Sequence, residues 1–139
     1  MNYQYNDGGR QAAGYKGEAQ DCVVRAIAIA AEKSYQEVYD AINIASSQER
    51  IGKHKSSARN GVYRKTWEKF LTSLGWAWHP TMFIGQGCKV HLNANELPTG
   101  RIIARVSKHM VAVIDGVIQD IFDPSRNETR CVYGYWSKI

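Results

Sequence analysis

Three residue types that together can activate a nucleophile stand far apart in this chain: Cys22, His109 and Asp120. Cys22 opens a strongly helical run, Cys22-Val23-Val24-Arg25-Ala26-Ile27-Ala28-Ile29-Ala30, with polar, glycine-rich sequence leading into it. A thiol at a helix N-terminus meets unpaired backbone N–H groups and the positive end of the helix dipole. Both favour the thiolate, the nucleophilic form. The competing reading is a buried cysteine acting as a small hydrophobe. Thiol chemistry also needs a base for the proton, a carboxylate to orient that base, and N–H donors for the oxyanion.

His109 begins a Val- and Ile-rich run that ends at Asp115-Gly116, a strong two-residue hairpin turn. That turn sets His109 opposite Phe122 and Val111 opposite Asp120. Side chains alternate along strands, so these four share one face. Asp120 is then the diagonal neighbour of His109, within reach of a hydrogen bond. Asp123 falls on the other face unless a bulge intervenes, and it is the reserve for the same role. The Cys22 N–H is a natural oxyanion donor, with Gln20 or Glu18 as side-chain alternatives.

The elements that must position these groups divide the chain. Residues 1–20 lack periodicity and read as a loose arm. Asp21 is placed to cap a buried helix from Cys22 to about Lys33, where Val23, Val24, Ile27, Ala28 and Ala31 recur at helical spacing. Ser34 with Glu37 is a capping-box signal, and Val38, Ala41, Ile42 and Ala45 mark one face of a second helix. Residues 46–61 form a basic loop. From Val62 to Leu74, the stripe Tyr63, Trp67, Phe70, Leu71 and Leu74 predicts a third helix ended by Gly75. Strands follow at 76–79, Arg101–Ser107, His109–Ile114, Val117–Phe122 and Cys131–Trp136. Helices first and an antiparallel sheet after them predict a single α+β domain over 1–139.

The net charge of +5 lies in one place: Arg50, Lys53, Lys55, Arg59, Arg64, Lys65 and Lys69 against Glu49 and Glu68. This 48–69 segment suits either a solvated surface or an acidic partner, nucleic acid or protein. Three cysteines imply no disulfide framework and fit a reducing compartment, so Cys88 and Cys131 read as buried strand cysteines. Cys88 and His91 have the spacing of half a zinc site with no second pair, so no metal or cofactor is expected. His54 reads as solvated and His79 as structural. No apolar run reaches membrane-spanning length and no leader is evident, which predicts a cytoplasmic protein.

A cysteine opening an early buried helix, a histidine opening a late strand and an acid on the next strand resemble the papain-like cysteine peptidase superfamily. Asp21-Cys22-Val23-Val24-Arg25-Ala26 resembles the cysteine motif of compact members, including ovarian-tumour-type deubiquitinases. His109-Met110-Val111-Ala112-Val113 with Asp123-Pro124 is similar to the corresponding strands of bacteriocin-processing peptidases. The chain also looks like small proteins of tailed phages, with Ile84-Gly85-Gln86-Gly87-Cys88, His91-Leu92 and Cys131-Val132-Tyr133-Gly134-Tyr135. Two departures stand out: Lys16 replaces the glutamine usual six residues before the nucleophile, and no Asn-Ser-Trp-Gly follows His109. The resemblance implies a thiol hydrolase acting on peptide or isopeptide bonds of a host or virion protein, in the host cytoplasm if the chain is phage-encoded. Deamidation or acyl transfer would use the same parts. The rival expectation is an inert papain-like scaffold that binds nucleic acid or an acidic protein through 48–69.

Overall fold

A computed structural model describes residues 2–17, 19–49 and 55–139. Three helices pack on one face of a six-stranded sheet, an α+β architecture. Helix α1, Cys22–Ala30, is buried from Val23 onward, Arg25 included. A helix that is apolar nearly all round belongs inside a domain, and α1 packs against both the sheet and the helix that follows it. Helix α2, Tyr35–Ser47, begins with Ser34 Oγ accepting the Glu37 N–H at 3.1 Å, and buries Tyr35, Val38 and Ile42. Helix α3, Arg64–Ser73, buries Trp67 and Leu71 and gives way to Gly75 at φ 87°.

The strands are β1 (Asn2–Tyr5), β2 (Trp76–Pro80), β3 (Arg101–Val106), β4 (His109–Ile114), β5 (Val117–Asp120) and β6 (Gly134–Lys138), in spatial order β1-β5-β4-β3-β6-β2. Met110, Ala112, Ile103 and Trp136 join the helices in one core. Val111, Val113, Ile102, Ala104 and Ile118 form a second core under the long connections, with Leu92, Leu97 and Val132. Both faces of the central strands are therefore covered.

The two hairpins that carry the site are tight. Asp115 (φ 49°) and Gly116 (φ 79°) are both left-handed, as a type I′ turn requires, and Ile114 pairs with Val117. Ser107 and Lys108 close the β3–β4 hairpin between the paired residues Val106 and His109.

Several expectations are corrected. The arm is not loose throughout: β1 pairs in parallel with β5, Asn2 opposite Val117 through Tyr5 opposite Asp120, so the sheet is mixed rather than wholly antiparallel. The return strand stops at Asp120 instead of Phe122. The last strand starts at Gly134; Cys131 makes only an isolated bridge to His91. Cys88 and Cys131 are not buried strand cysteines but form a disulfide, with Cα atoms 5.9 Å apart. Asp21 does not cap α1 through its side chain. Its carboxylate instead accepts from Arg25 Nε at 3.0 Å and from the Tyr35 hydroxyl at 2.6 Å. Among the described residues, no helix is long and apolar enough to cross a membrane.

Candidate functional site

Cys22 is the first residue of α1, and His109 is the first of β4. Helix α1 lies across β4, and this packing brings the two together. The Cys22 thiol faces the His109 ring and the backbone N–H of Met110, the groups that most favour its ionised form. On the other side of the ring, His109 Nε2 lies 2.7 Å from Asp120 Oδ2. Asp120 thus takes Nε2, which leaves Nδ1 as the ring nitrogen for the thiol. An Nε2–H donated to the carboxylate fixes the tautomer that gives Nδ1 its lone pair.

The ladder between β4 and β5 ends at Ala112–Gln119. Asp120 therefore lies past its last pair, where Oδ2 meets His109. Its other oxygen, Oδ1, accepts from Arg25 Nη1 at 2.6 Å and from the Ile121 N–H at 2.7 Å. Arg25 stands one turn along α1 from Cys22, buried between Asp120 and Asp21. Arg10 Nε lies 3.2 Å from Asp21 Oδ2, an ion pair without hydrogen-bond alignment. A chain of charges runs from His109 through Asp120, Arg25 and Asp21 to Arg10. Each buried charge has an opposite partner, which is the condition for keeping it ionised out of water.

The protonation states follow from these contacts. Burial pushes the Cys22 thiol up, but the His109 hydrogen bond and charge, the Met110 N–H and Arg25 outweigh it and hold the thiol below its ordinary value. Burial disfavours the charged His109 ring, yet the Asp120 hydrogen bond and the Cys22 sulfur raise it to about 9. Both shifts favour the thiolate and the imidazolium. Tyr35 is pushed up, first by burial and then by its hydrogen bond to Asp21, so its hydroxyl remains a donor.

The pair opens into a cleft of about 380 Å³. Gln20, Gly61, Val62, Trp67, Arg105 and Phe122 are among its walls. Phe122 is half-exposed and stands 5.3 Å from the His109 ring, covering one side of it. Gln20 is anchored by its N–H to the Arg59 carbonyl at 2.8 Å and lies at the rim, near Gly61. Gln20 thus shares the cleft with Cys22, while Glu18 lies outside the described residues. Lys16 lines a neighbouring cavity rather than this cleft. Asp123, the reserve, is not at the ring: its carboxylate accepts the Ser125 N–H at 2.9 Å in the Asp-Pro-Ser turn.

The remaining histidines and cysteines lie elsewhere. His91 Nδ1 is 3.2 Å from Glu96 Oε1, and Cys88 is in the disulfide, so the half zinc site is dismantled. His79 stacks on Tyr135 at 4.9 Å and bonds Ser137, whereas His54, with Arg50 and Lys53 of the basic segment, falls outside the described residues. Sequence reasoning missed the Met110 N–H, because a strand's backbone donor leaves no residue-type signal. It also missed Asp21 as a buried counter-charge, since its partners Arg10 and Tyr35 converge only in the fold.

No protein-family model matches the chain, and no curated protein or solved structure matches it either.

Proposed function

We propose that the protein is a thiol hydrolase on a papain-like scaffold, acting most directly as a cysteine peptidase. The observation that carries this reading is the juxtaposition of Cys22 with His109, itself bonded to Asp120, where both Cys22 and His109 line one cleft. The Cys22 thiolate attacks an amide or isopeptide carbonyl, and the Cys22 N–H, with Gln20 at the rim, is placed to meet the oxyanion. His109 gives its proton to the leaving amine, so the C–N bond breaks and a thioester remains on Cys22. Water then loses a proton to His109 and attacks the thioester, releasing the acid and restoring the thiol. Asp120 orients His109 throughout and stabilises its charged form. Deamidation differs only in the leaving group, ammonia, and acyl transfer only in the acceptor, an amine in place of water.

The substrate is proposed to be a protein or peptide, of host or virion origin if the chain is phage-encoded, and the working location the cytoplasm. A reducing cytoplasm would open the Cys88–Cys131 bridge, which lies at the surface away from the cleft. The test needs no known substrate. Wild-type protein mixed with p-nitrophenyl acetate is expected to release a burst of p-nitrophenolate and to gain an acetyl group on Cys22. Cys22→Ala should abolish the burst, and His109→Ala should slow both acylation and its turnover. A wild-type protein with no burst and no Cys22 adduct would contradict the proposal.

A second reading is an inert scaffold that binds nucleic acid or an acidic protein through 48–69. One observation favours it: Arg64, Lys65 and Lys69 flank a groove of about 670 Å³ beside α3. Under that reading binding survives Cys22→Ala and weakens steeply as salt rises.

A further inference from the structure

Around the Cys22 thiol the cleft carries charge of one sign. Arg25, Arg105, Lys108 and His109 line it, and among the described residues none of the lining is acidic. Arg25 is committed to Asp21 and Asp120. Arg105 is not: its Nη1 donates to the carbonyls of Val106 at 2.7 Å and His109 at 3.2 Å, and its guanidinium carbon sits 5.8 Å from the Trp67 ring centre.

Among the described residues, no carboxylate lies within ion-pair distance of Arg105 or Lys108. Glu68 on α3 is engaged by Arg64 at 2.9 Å. Burial pushes the Arg105 guanidinium below its ordinary value, and the Cys22 thiol acts on it in the opposite sense, so the two groups sense each other across the cleft. One nitrogen of Arg105 serves the two carbonyls, which leaves a planar fork of N–H donors without an anion. The group that fits such a fork is a carboxylate. Lys108, exposed on the two-residue turn beside His109, adds a second cation at the rim.

We propose that this cleft selects substrates that bear a carboxylate next to the scissile carbonyl, with Arg105 as the specificity-determining residue and Lys108 as its auxiliary. The inference rests on the thiol-hydrolase reading and adds its substrate class. The carboxylate has two sources, an Asp or Glu side chain or the free C-terminus of a peptide.

The test compares alkylation of Cys22 in the full chain by iodoacetate and by iodoacetamide, reagents alike except for one negative charge. The ratio of the two rates is expected to exceed that of free cysteine. It should fall about three- to tenfold in Arg105→Gln, a loss typical of one nearby charge, and recover in Arg105→Lys. Both reagents react with the thiolate, so the ratio cancels any change in Cys22 ionisation that the lost Arg105 charge brings. A ratio unchanged by Arg105→Gln overturns the carboxylate proposal and leaves the hydrolase reading standing. A Cys22 that titrates as an ordinary thiol towards iodoacetamide overturns both.

A second arm names the source. Acetylated tripeptide amides with Asp or Asn, and one tripeptide as free acid or amide, compete with iodoacetamide for the cleft. Stronger protection by the Asp peptide points to a side chain, and by the free acid to a C-terminus. Equal protection within both pairs contradicts the proposal.

Discussion

Asp120→Asn changes one atom of a buried side chain that serves three donors, and no orientation of the amide satisfies them all. The carboxylate accepts from His109 Nε2 with one oxygen, and from Arg25 and the Ile121 N–H with the other. An Asn amide has one acceptor and one donating NH2. If its oxygen stays with Arg25 and Ile121, the NH2 faces His109 and forces the ring to the tautomer with hydrogen on Nδ1, which cannot take the thiol proton. If the amide flips, NH2 meets two donors. His109 is buried and raised from 6.5 to about 9, with burial opposing and Asp120 the largest group holding it up. At about 1.4 kcal/mol per pKa unit, that rise corresponds to roughly 3.5 kcal/mol, which Asp120 shares with Cys22.

The sign follows from linkage. A histidine raised on folding contributes stability that is fully present below 6.5 and is lost as pH rises through about 9. Cys22 acts oppositely: its depressed thiol contributes stability above its ordinary value of 9.0, lost as pH falls through the lowered value. The two trends offset, so the clean comparison is Cys22→Ala against Cys22→Ala/Asp120→Asn. His109 ring signals followed by NMR against pH, with urea unfolding at pH 6 and pH 9.5 or thereabouts, read the effect. The parent should hold His109 above its ordinary value and lose stability between the two pH values. The Asn variant should titrate at or below the ordinary value, with little pH-dependent loss. A His109 that titrates at the same pH in both would refute the assignment of Asp120 as its partner.

Three further outcomes follow from the same contacts. Arg25→Met leaves Asp120 and Asp21 without their shared cation and should cost roughly 3–5 kcal/mol in urea unfolding; a loss within error of zero would show that the pairing is not felt. Reducing Cys88–Cys131 should lower stability by up to about 4 kcal/mol, from the loop its 43-residue separation closes, while the alkylation rate of Cys22 stays the same; a parallel loss of Cys22 reactivity would contradict their separation. Gly134→Ala drives a Cβ into the Trp78 ring and to 2.7 Å from the His79 carbonyl, so thermal unfolding should show a destabilisation of about 1–3 kcal/mol, with Cys22 reactivity retained.

Much of the site's scaffold was legible because local signals agreed with the fold. The Asp115-Gly116 turn dictated the β4–β5 register, and that register alone put Asp120 diagonal to His109. The apolar stripe of α3 and the Ser34 cap likewise act within a few residues. What escaped sequence reasoning depends on distant partners. Strand β1 is exposed along its length, so Asn2-Tyr3-Gln4-Tyr5 shows no buried alternation, and its pairing with β5 is settled by backbone bonds at an edge. The disulfide joins two separated loops that the His91–Cys131 bridge also links, a pairing that an odd cysteine count conceals. Asp21 looked like a cap by position; Arg10, Arg25 and Tyr35 claim its carboxylate in three dimensions.

The central claim is that Cys22 and His109 form a charged pair. Its most direct test is the rate of iodoacetamide alkylation at Cys22 against pH in wild type and His109→Ala. The wild-type thiol should react as a thiolate well below the pH of a free thiol, about 8.5, and the variant's profile should move up to that value or beyond, since burial then acts on Cys22 without His109. Identical profiles in the two proteins, or an ordinary thiol in wild type, would contradict the account.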